Sequence, residues 1–425
     1  MAETLLIVFV ILVVLGMPIG FALGAGTLAA ASLYPALNPI IIPTRLVGLL
    51  SDSFIILAAP LFILAGNIAA RGGIARAIID LATVLVGRFR GGLAYVNIVD
   101  SMIFGGISGS AVADVSALGT FLIPQMVRKG YDKDFATVLT ISTAVLAPIV
   151  PPSIIAVLYA WLADESVAAI FAGGYIPGAM IALGMAVPTF VIARRRNYPR
   201  EPRPTLRSAM DALGRALPGL MIPVIIMGGI LAGVFTPTEA AAVAVVYALI
   251  VELWIYRALD WKQVFRIAEE SAVTTVIIFV LLAMGSLLSY FITLSDLQNV
   301  LVSFIGEHKM NWVMFLLVIN AIFFVAGMFI DPNSILLVLV PTLFPVATSL
   351  GIDPVHFGLV VCLNICIGMI TPPFGLDLFV ASGTLKRSVE TVIAGIGPFI
   401  AVNVVVLAII SYVPAISTAL PKLLL

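Results

Sequence analysis

Apolar residues fill most of this chain in long runs, with polar residues confined to short segments between them. A helix crossing the hydrocarbon core of a bilayer needs about 20 consecutive apolar residues. By that measure full spans are expected over 5–34, 54–70, 134–161, 166–193, 218–235, 239–256, 273–294, 355–383 and 389–412. The first is expected to bend near Gly16-Met17-Pro18, because proline removes a helix hydrogen bond. Stretches 91–128 and 311–350 are apolar at both ends but carry small and polar residues in the middle. They predict helical hairpins that enter the membrane and turn back, since non-helical backbone at that depth must be covered by protein or line a cavity.

Two amphipathic segments lie between the spans. Over 74–87 the polar positions Arg76, Asp80, Thr83 and Gly87 fall at helical spacing and draw one polar stripe. That pattern predicts a helix lying along the membrane surface. Asp260 to Glu270 is expected to behave alike, with Trp261, Val264, Phe265 and Ile267 opposed to Lys262, Arg266 and Glu269.

Composition fits only one solvent. The 425 residues are 62% hydrophobic and 10% charged, with a mean hydropathy of +1.19. Soluble domains carry about a quarter charged residues, so too few charges are present to coat a water-facing surface. Net charge is zero, and the Arg and Lys residues mark helix ends rather than one face, which excludes nucleic acid as a partner. The start, Met1-Ala2-Glu3-Thr4, lacks the basic region of a signal peptide, so the first apolar run is expected to remain as a helix. Cys362 and Cys366 sit one helical turn apart in an apolar run and read as packing residues, too few for a disulfide framework or a metal site.

Basic residues also orient the chain. Arg194, Arg195, Arg196, Arg200, Arg203, Arg207 and Arg215 form the longest basic loop, expected on the cytoplasmic side. Counting outward places Arg71, Arg88, Arg128, Lys129, Arg257, Lys386 and Arg387 on that side as well. The N-terminus is then expected in the cytoplasm and the C-terminus in the periplasm or outside the cell.

A repeat organises the whole chain. Ser108-Gly109-Ser110 to Asp114, Leu122-Ile123-Pro124, Gly130-Tyr131-Asp132 and Pro151-Pro152 recur as Gly327 to Asp331, Leu339-Val340-Pro341, Gly351-Ile352-Asp353 and Pro372-Pro373. This alignment pairs Asp114 with Asp331 and needs a four-residue insertion between the proline and the glycine. With the expected topology the two copies are inverted: repeat 1 over 1–193, a basic loop and linking span over 194–238, and repeat 2 over 239–425. Inverted repeats with interrupted helices are a mark of secondary transporters.

The interruptions carry the candidate chemistry. Pro148, Pro151 and Pro152 open one helix, and Pro372 and Pro373 open another, freeing main-chain carbonyls that a dehydrated sodium ion can satisfy. Half-helices starting at such breaks direct a positive dipole end at the same spot, which favours a carboxylate. One sodium site is expected from Ser108, Ser110, Ala147, Val150 and Pro151, and a second from Gly327, Asp331, Ile370, Thr371 and Pro372. Substrate contacts are expected from Ser108, Gly109, Ser110, Asp114, Asp331, Asn333 and Ser334. Asp114 and Asp331 are costly in a membrane and functional on that ground, although either can serve as a helix cap. Glu239, in Thr236-Pro237-Thr238-Glu239, follows a capping pattern and is expected to start a helix away from substrate. His308 and His356 fall at expected external ends and read as exposed.

The segments Phe104 to Asp114 and Ala147 to Ser153, with Gly327 to Asp331 and Gly368 to Pro373, resemble the large membrane subunit of TRAP transporters, and the likeness covers nearly the whole chain. It implies an all-α polytopic membrane protein of two inverted repeats with re-entrant hairpins and Pro-broken helices, working as an elevator-type carrier of the ion-transporter superfamily. It further implies a bacterial or archaeal inner-membrane location and a coupling ion, Na+, with no organic cofactor. Its partners would be a small four-helix membrane subunit on a separate polypeptide, a periplasmic substrate-binding protein and a carboxylate such as a dicarboxylate or sialic acid. A stand-alone sodium- or proton-coupled carboxylate carrier is the second reading. An intramembrane serine protease is a third, suggested by Gly106-Ile107-Ser108-Gly109, but its serine needs a histidine base and both histidines fall outside the expected membrane core.

Overall fold

The computed structural model describes residues 7–9, 11–12, 15–17, 19–32, 40, 42–44, 48, 54–294, 302–303, 307–385 and 389–425. Its helices in chain order begin with α1 (Ile19–Ser32), α2 (Ala58–Arg71), α3 (Gly73–Val86), α4 (Gly92–Ser108), α5 (Ala111–Arg128) and α6 (Lys133–Thr143). There follow α7 (Ile154–Leu162), α8 (Val167–Arg195), α9 (Leu206–Leu231), α10 (Pro237–Ile250), α11 (Trp261–Leu294) and α12 (Trp312–Phe329). The last are α13 (Pro332–Ser349), α14 (Pro354–Met369), α15 (Leu376–Leu385), α16 (Val389–Tyr412) and α17 (Ala415–Leu424). No strand occurs among the described residues. Among them, eight helical segments are long and apolar enough to cross a membrane; Val251–Ile255 extends α10 as one wider turn.

Near the N-terminus, Gly16 takes a φ of 86° and α1 starts at Ile19, so the chain turns where a bend is expected. Pro18, Lys386 and Arg387 lie outside the described residues. Both proline-pair segments are divided. In 134–161 the helix ends in a 3-10 turn, Ala144–Leu146, and restarts at Ile154; in 355–383 it stops at Met369 and restarts at Leu376. The prolyl bonds Pro151–Pro152 and Pro372–Pro373 are both cis.

The two copies superpose in sequence without an insertion. Helix α5 begins at Ala111 and α13 at Pro332, α6 at Lys133 and α14 at Pro354, a constant offset of 221 (332 − 111 and 354 − 133). The same offset relates Gly130 and Gly351, both at positive φ, and the caps Asp132 and Asp353. Asp331 therefore corresponds to Ser110, since each caps the second arm of its hairpin. This corrects the expected pairing of Asp114 with Asp331, and of Pro124 with Pro341. Pro124 matches Pro345, and Asp114 matches Ile335.

The repeats are interlocked. Helix α7, which follows the first break, packs on α13 of the second hairpin, while α15, which follows the second break, packs on α5 of the first. Tyr159 of α7 is fully buried and donates its hydroxyl to Pro354 O at 2.7 Å, at the start of α14. Its ring lies against Gly358, where an added Cβ would come within 2.1 Å of Cε1. Overpacking a core costs about 1–3 kcal/mol. Gly358→Val is expected to lower the melting temperature of the purified protein through this cross-repeat contact, read by scanning fluorimetry.

Three expectations are corrected here. Residues 260–270 are not a separate surface helix: Asp260 and Gln263 cap each other at 2.7 and 2.8 Å, and α11 runs unbroken from Trp261. The linking helix α9 starts at Leu206, well before 218. His356 is buried, with its ring nitrogens 3.3 Å from Ser417 Oγ and 3.1 Å from Ser411 O. Helix α17, ten residues long, folds back to cover that ring through Ser417. His308 is exposed.

Candidate substrate and ion site between the hairpin tips

The first tip is built by glycine. Gly109 ends α4 in the left-handed region, at φ 59°, and Ser110 turns extended to cap α5 through Ala113 N. The tip lies on the first break, backbone against backbone. A Cβ at Gly105 would lie 2.6 Å from Ala147 Cα, one at Gly106 would lie 3.2 Å from Pro151 O, and one at Gly109 would lie 2.6 Å from Pro152 O. Gly66 of α2 closes the other side, its added Cβ meeting Ser108 Cα at 2.7 Å. Beyond the break, Ser153 caps α7 by accepting from Ala156 N at 3.1 Å, and its hydroxyl donates to Pro148 O.

The second tip repeats the device with different side chains. A Cβ at Gly327 would lie 2.9 Å from Gly368 Cα. Asp331 caps α13, its Oδ1 accepting from Asn333 N and Ser334 N at 3.1 Å each and its Oδ2 from the Ser334 hydroxyl. Thr371 is buried and donates to Ile367 O at 2.6 Å.

Both tips open on one cavity of about 640 Å³. Ser108, Gly109 and Ser110 line it from the first tip, Pro332 and Asn333 from the second, and Pro148 from the first break. The remaining expected residues do not. Ala147, Val150, Pro151, Gly327, Ile370, Thr371 and Pro372 are absent from the lining, as are Asp331 and Ser334. Asp114 is fully buried on α5, its Oδ2 accepting from Ser101 Oγ at 2.7 Å.

Four helix N-termini meet the cavity: Ala111 of α5, Ile154 of α7, Pro332 of α13 and Leu376 of α15. The positive dipole end at each favours an anion, and at α13 the Asp331 carboxylate already accepts from Asn333 N and Ser334 N. The other wall comes from α2 and α11, whose contribution sequence reading missed. Asn67 and Arg71 face Glu270 and Thr274 there. Arg71 and Glu270 form an ion pair, half exposed, and Asn67 Nδ2 donates to Ser271 Oγ at 2.9 Å. Ser116 and Thr120 continue the polar face of α5 into the cavity; their own four-residue spacing is the one signal that could have found them. Hydroxyls and amides around helix N-termini, beside an Arg71–Glu270 pair of no net charge, suit an oxygen-rich anion of organic-acid size.

At the other end, Lys129 Nζ pairs with Glu201 at 2.9 Å, Arg196 lies 3.2 Å from Asp132, and Tyr131 stacks on Tyr198 with centroids 4.4 Å apart. The loop after α8 is thereby fastened to the turn between α5 and α6, which gathers basic residues from 128–129 and 194–196 at one end.

An interlocked, all-helical repeat with a polar cavity at paired breaks defines a polytopic membrane transport protein. The chain belongs to the family of the DctM component of tripartite ATP-independent periplasmic transporters, whose description matches residues 6–416. It is 39% identical over 372 residues to the C4-dicarboxylate TRAP transporter large permease protein DctM of Pseudomonas aeruginosa, covering 88% of this chain and 87% of that one. It is 36% identical to the sialic acid TRAP transporter large permease protein SiaM of Vibrio cholerae, over 96% of each. Among solved structures, the Alcanivorax borkumensis YdaH transporter shares the fold, with a TM-score of 0.59 and 16% identity over 95% of this chain and 97% of that one.

Proposed function

We propose that this chain is the sodium-coupled permease subunit through which an organic acid, a dicarboxylate or sialic acid among the candidates, enters the cell. The observation that carries the reading is the convergence of four helix N-termini on one cavity. A periplasmic substrate-binding protein delivers the acid, and a small four-helix membrane subunit completes the transporter in the inner membrane. The N-terminus is cytoplasmic and the C-terminus periplasmic, in keeping with the gathered basic ends.

Sodium fits the two tip–break cradles. Each is a place where backbone meets backbone and a Cβ would fill the space, at Gly109 and at Gly327. Ser108, Ser110, Ala147, Val150 and Pro151 would hold one ion. Gly327, Asp331, Ile370, Thr371 and Pro372 would hold the other. The ion supplies positive charge beside the cavity that an acid enters. Movement of the two interlocked hairpin–break units as one body past the scaffold helices, an elevator motion, carries the cavity across.

Uptake into proteoliposomes tests the reading. Transport is expected to require an inward sodium gradient and the binding protein together. Uptake without the binding protein would replace it with a stand-alone carrier on this fold. Asp331→Ala is expected to cut sodium-driven uptake roughly tenfold, equivalent to about 1.4 kcal/mol, because it removes both a candidate ion ligand and the cap of α13. Glu239→Ala, which breaks an exposed capping box on the scaffold, is expected to transport nearly as wild type. Equal uptake by both variants would remove Asp331 from the site.

A further inference from the structure

Behind the first hairpin lies a sealed polar cluster that the cavity does not reach. Asn97, Ser101, Asp114, Thr140, Thr143 and Asp377 are all fully buried. Ser101 Oγ donates to Asp114 Oδ2 at 2.7 Å and lies 3.0 Å from Thr143 Oγ1. Thr143 Oγ1 donates to Asn97 Oδ1 at 2.7 Å, and Asn97 Nδ2 donates to Thr140 Oγ1 at 2.6 Å. The cluster thus ties α4, α5 and α6 together. Asp377 reaches the same junction from the other repeat, fully buried in the first turn of α15, which packs on both α5 and α6.

Several of these oxygens are unused. Neither carboxylate oxygen of Asp377 has a hydrogen-bond partner among the described residues, nor has Oδ1 of Asp114 or of the adjacent, buried Asp100. A buried carboxylate left without a partner is strongly unfavourable. A single shared proton satisfies at most two of these four oxygens, one as donor and one as acceptor. A hard cation resolves it directly, by accepting oxygen ligands only. Among the described residues no three acidic, histidine or cysteine side chains converge on one point. The available charge is that of a carboxylate pair with neutral hydroxyl and amide oxygens, which suits a monovalent ion over a divalent one.

We infer that Asp114 and Asp377, with Ser101 and the Thr143–Asn97 pair behind it, form a further sodium site at the contact between α5 and α15, separate from the two tip cradles. It rests on the reading of the chain as sodium-coupled. Its place is specific to this pairing of helices: at the repeat offset, Asp114 corresponds to Ile335 and Asp377 to Ala156, so the symmetry-related contact of α7 with α13 lacks it. An ion there joins the first hairpin to the second broken helix and stiffens the moving body.

Equilibrium binding of ²²Na⁺ to the purified full chain in detergent tests the site. Asp377→Asn is expected to bind one sodium fewer per chain than wild type, while Ser101→Ala binds the same number with affinity about tenfold weaker for one of them, a change of about 1.4 kcal/mol. An unchanged number with Asp377→Asn overturns the site and leaves the tip cradles standing. A wild-type chain that binds no ²²Na⁺ overturns the sodium-coupled reading as well. Where Asp377→Asn is not monodisperse by gel filtration, Ser101→Ala decides, and unchanged affinity overturns the proposal.

Discussion

Gly109→Ala is expected to lose sodium-driven uptake by about a hundredfold, while Gly130→Ala loses little, although both replace a glycine of positive φ. The shared cost is small: an L-residue in the left-handed region costs about 1–2 kcal/mol. The difference lies in what the new methyl meets. At Gly130, φ 86°, nothing stands within 4 Å; at Gly109, φ 59°, Pro152 O lies at 2.6 Å and Ser153 Cα at 3.2 Å. Both obstacles are backbone, held by the cap that Ser153 provides to α7, so neither can turn aside like a side chain. The tip must lift off the break, and the cradle formed by Ser108, Ser110 and the first proline pair opens. A hundredfold loss corresponds to about 2.7 kcal/mol, within reach of a displaced tip. Uptake and a melting curve on the same preparations check the pair. If both variants melt alike and transport alike, the tip–break contact is not part of the transport site.

The sequence was most legible where a physical rule acts locally. Hairpins and proline breaks follow from hydropathy and missing amides, and they stand in the structure, whereas of the nine expected full spans 134–161 and 355–383 are divided at their prolines. The repeat was legible in outline but mis-registered, for an instructive reason. Asp114 and Asp331 share a residue type, but what the fold repeats is a cap, and serine and aspartate are interchangeable at that position. Ser110 and Asp331 therefore correspond, and the insertion disappears. His356 was misread because α17, which buries it, carries too short an apolar run to be noticed as a span. The far wall of the cavity was invisible for a different reason. Arg71 and Glu270 meet across 199 residues of sequence, and Asn67 and Thr274 belong to helices whose pattern says only that they cross the membrane. No motif announces a long-range pairing of this kind. Asp377 was passed over beside the second proline pair because one acidic residue in the first turn of a helix reads as favourable to its dipole; only its burial on α5 makes it unusual.

Glu252→Ala is expected to lower stability by about 2–3 kcal/mol, the cost of leaving buried donors without an acceptor. Helix α3 starts at Gly73 with no side-chain cap of its own, because Gly72 has none to offer. The missing cap comes from elsewhere in the chain. Glu252 is fully buried in the wider turn after α10, and its Oε2 and Oε1 accept from Gly73 N at 2.7 Å and Ile74 N at 2.8 Å. The glycines are there to admit it: a Cβ at Gly72 would fall 2.0 Å from the Glu252 carboxyl carbon, and one at Gly73 would fall 2.6 Å from Tyr256 Cβ. A negative charge at a helix N-terminus adds to the two hydrogen bonds. Glu252→Gln keeps one acceptor oxygen and is expected to fall between wild type and alanine in a thermal melt. A melting temperature for Glu252→Ala equal to wild type would mean that water or lipid headgroups reach the start of α3. The consequence reaches the cavity, because α3 follows directly on Arg71. When the start of α3 frays, the end of α2 loses its anchor and Arg71 its alignment with Glu270. Glu252→Ala is therefore expected to weaken uptake as well as stability, although Glu252 does not line the cavity.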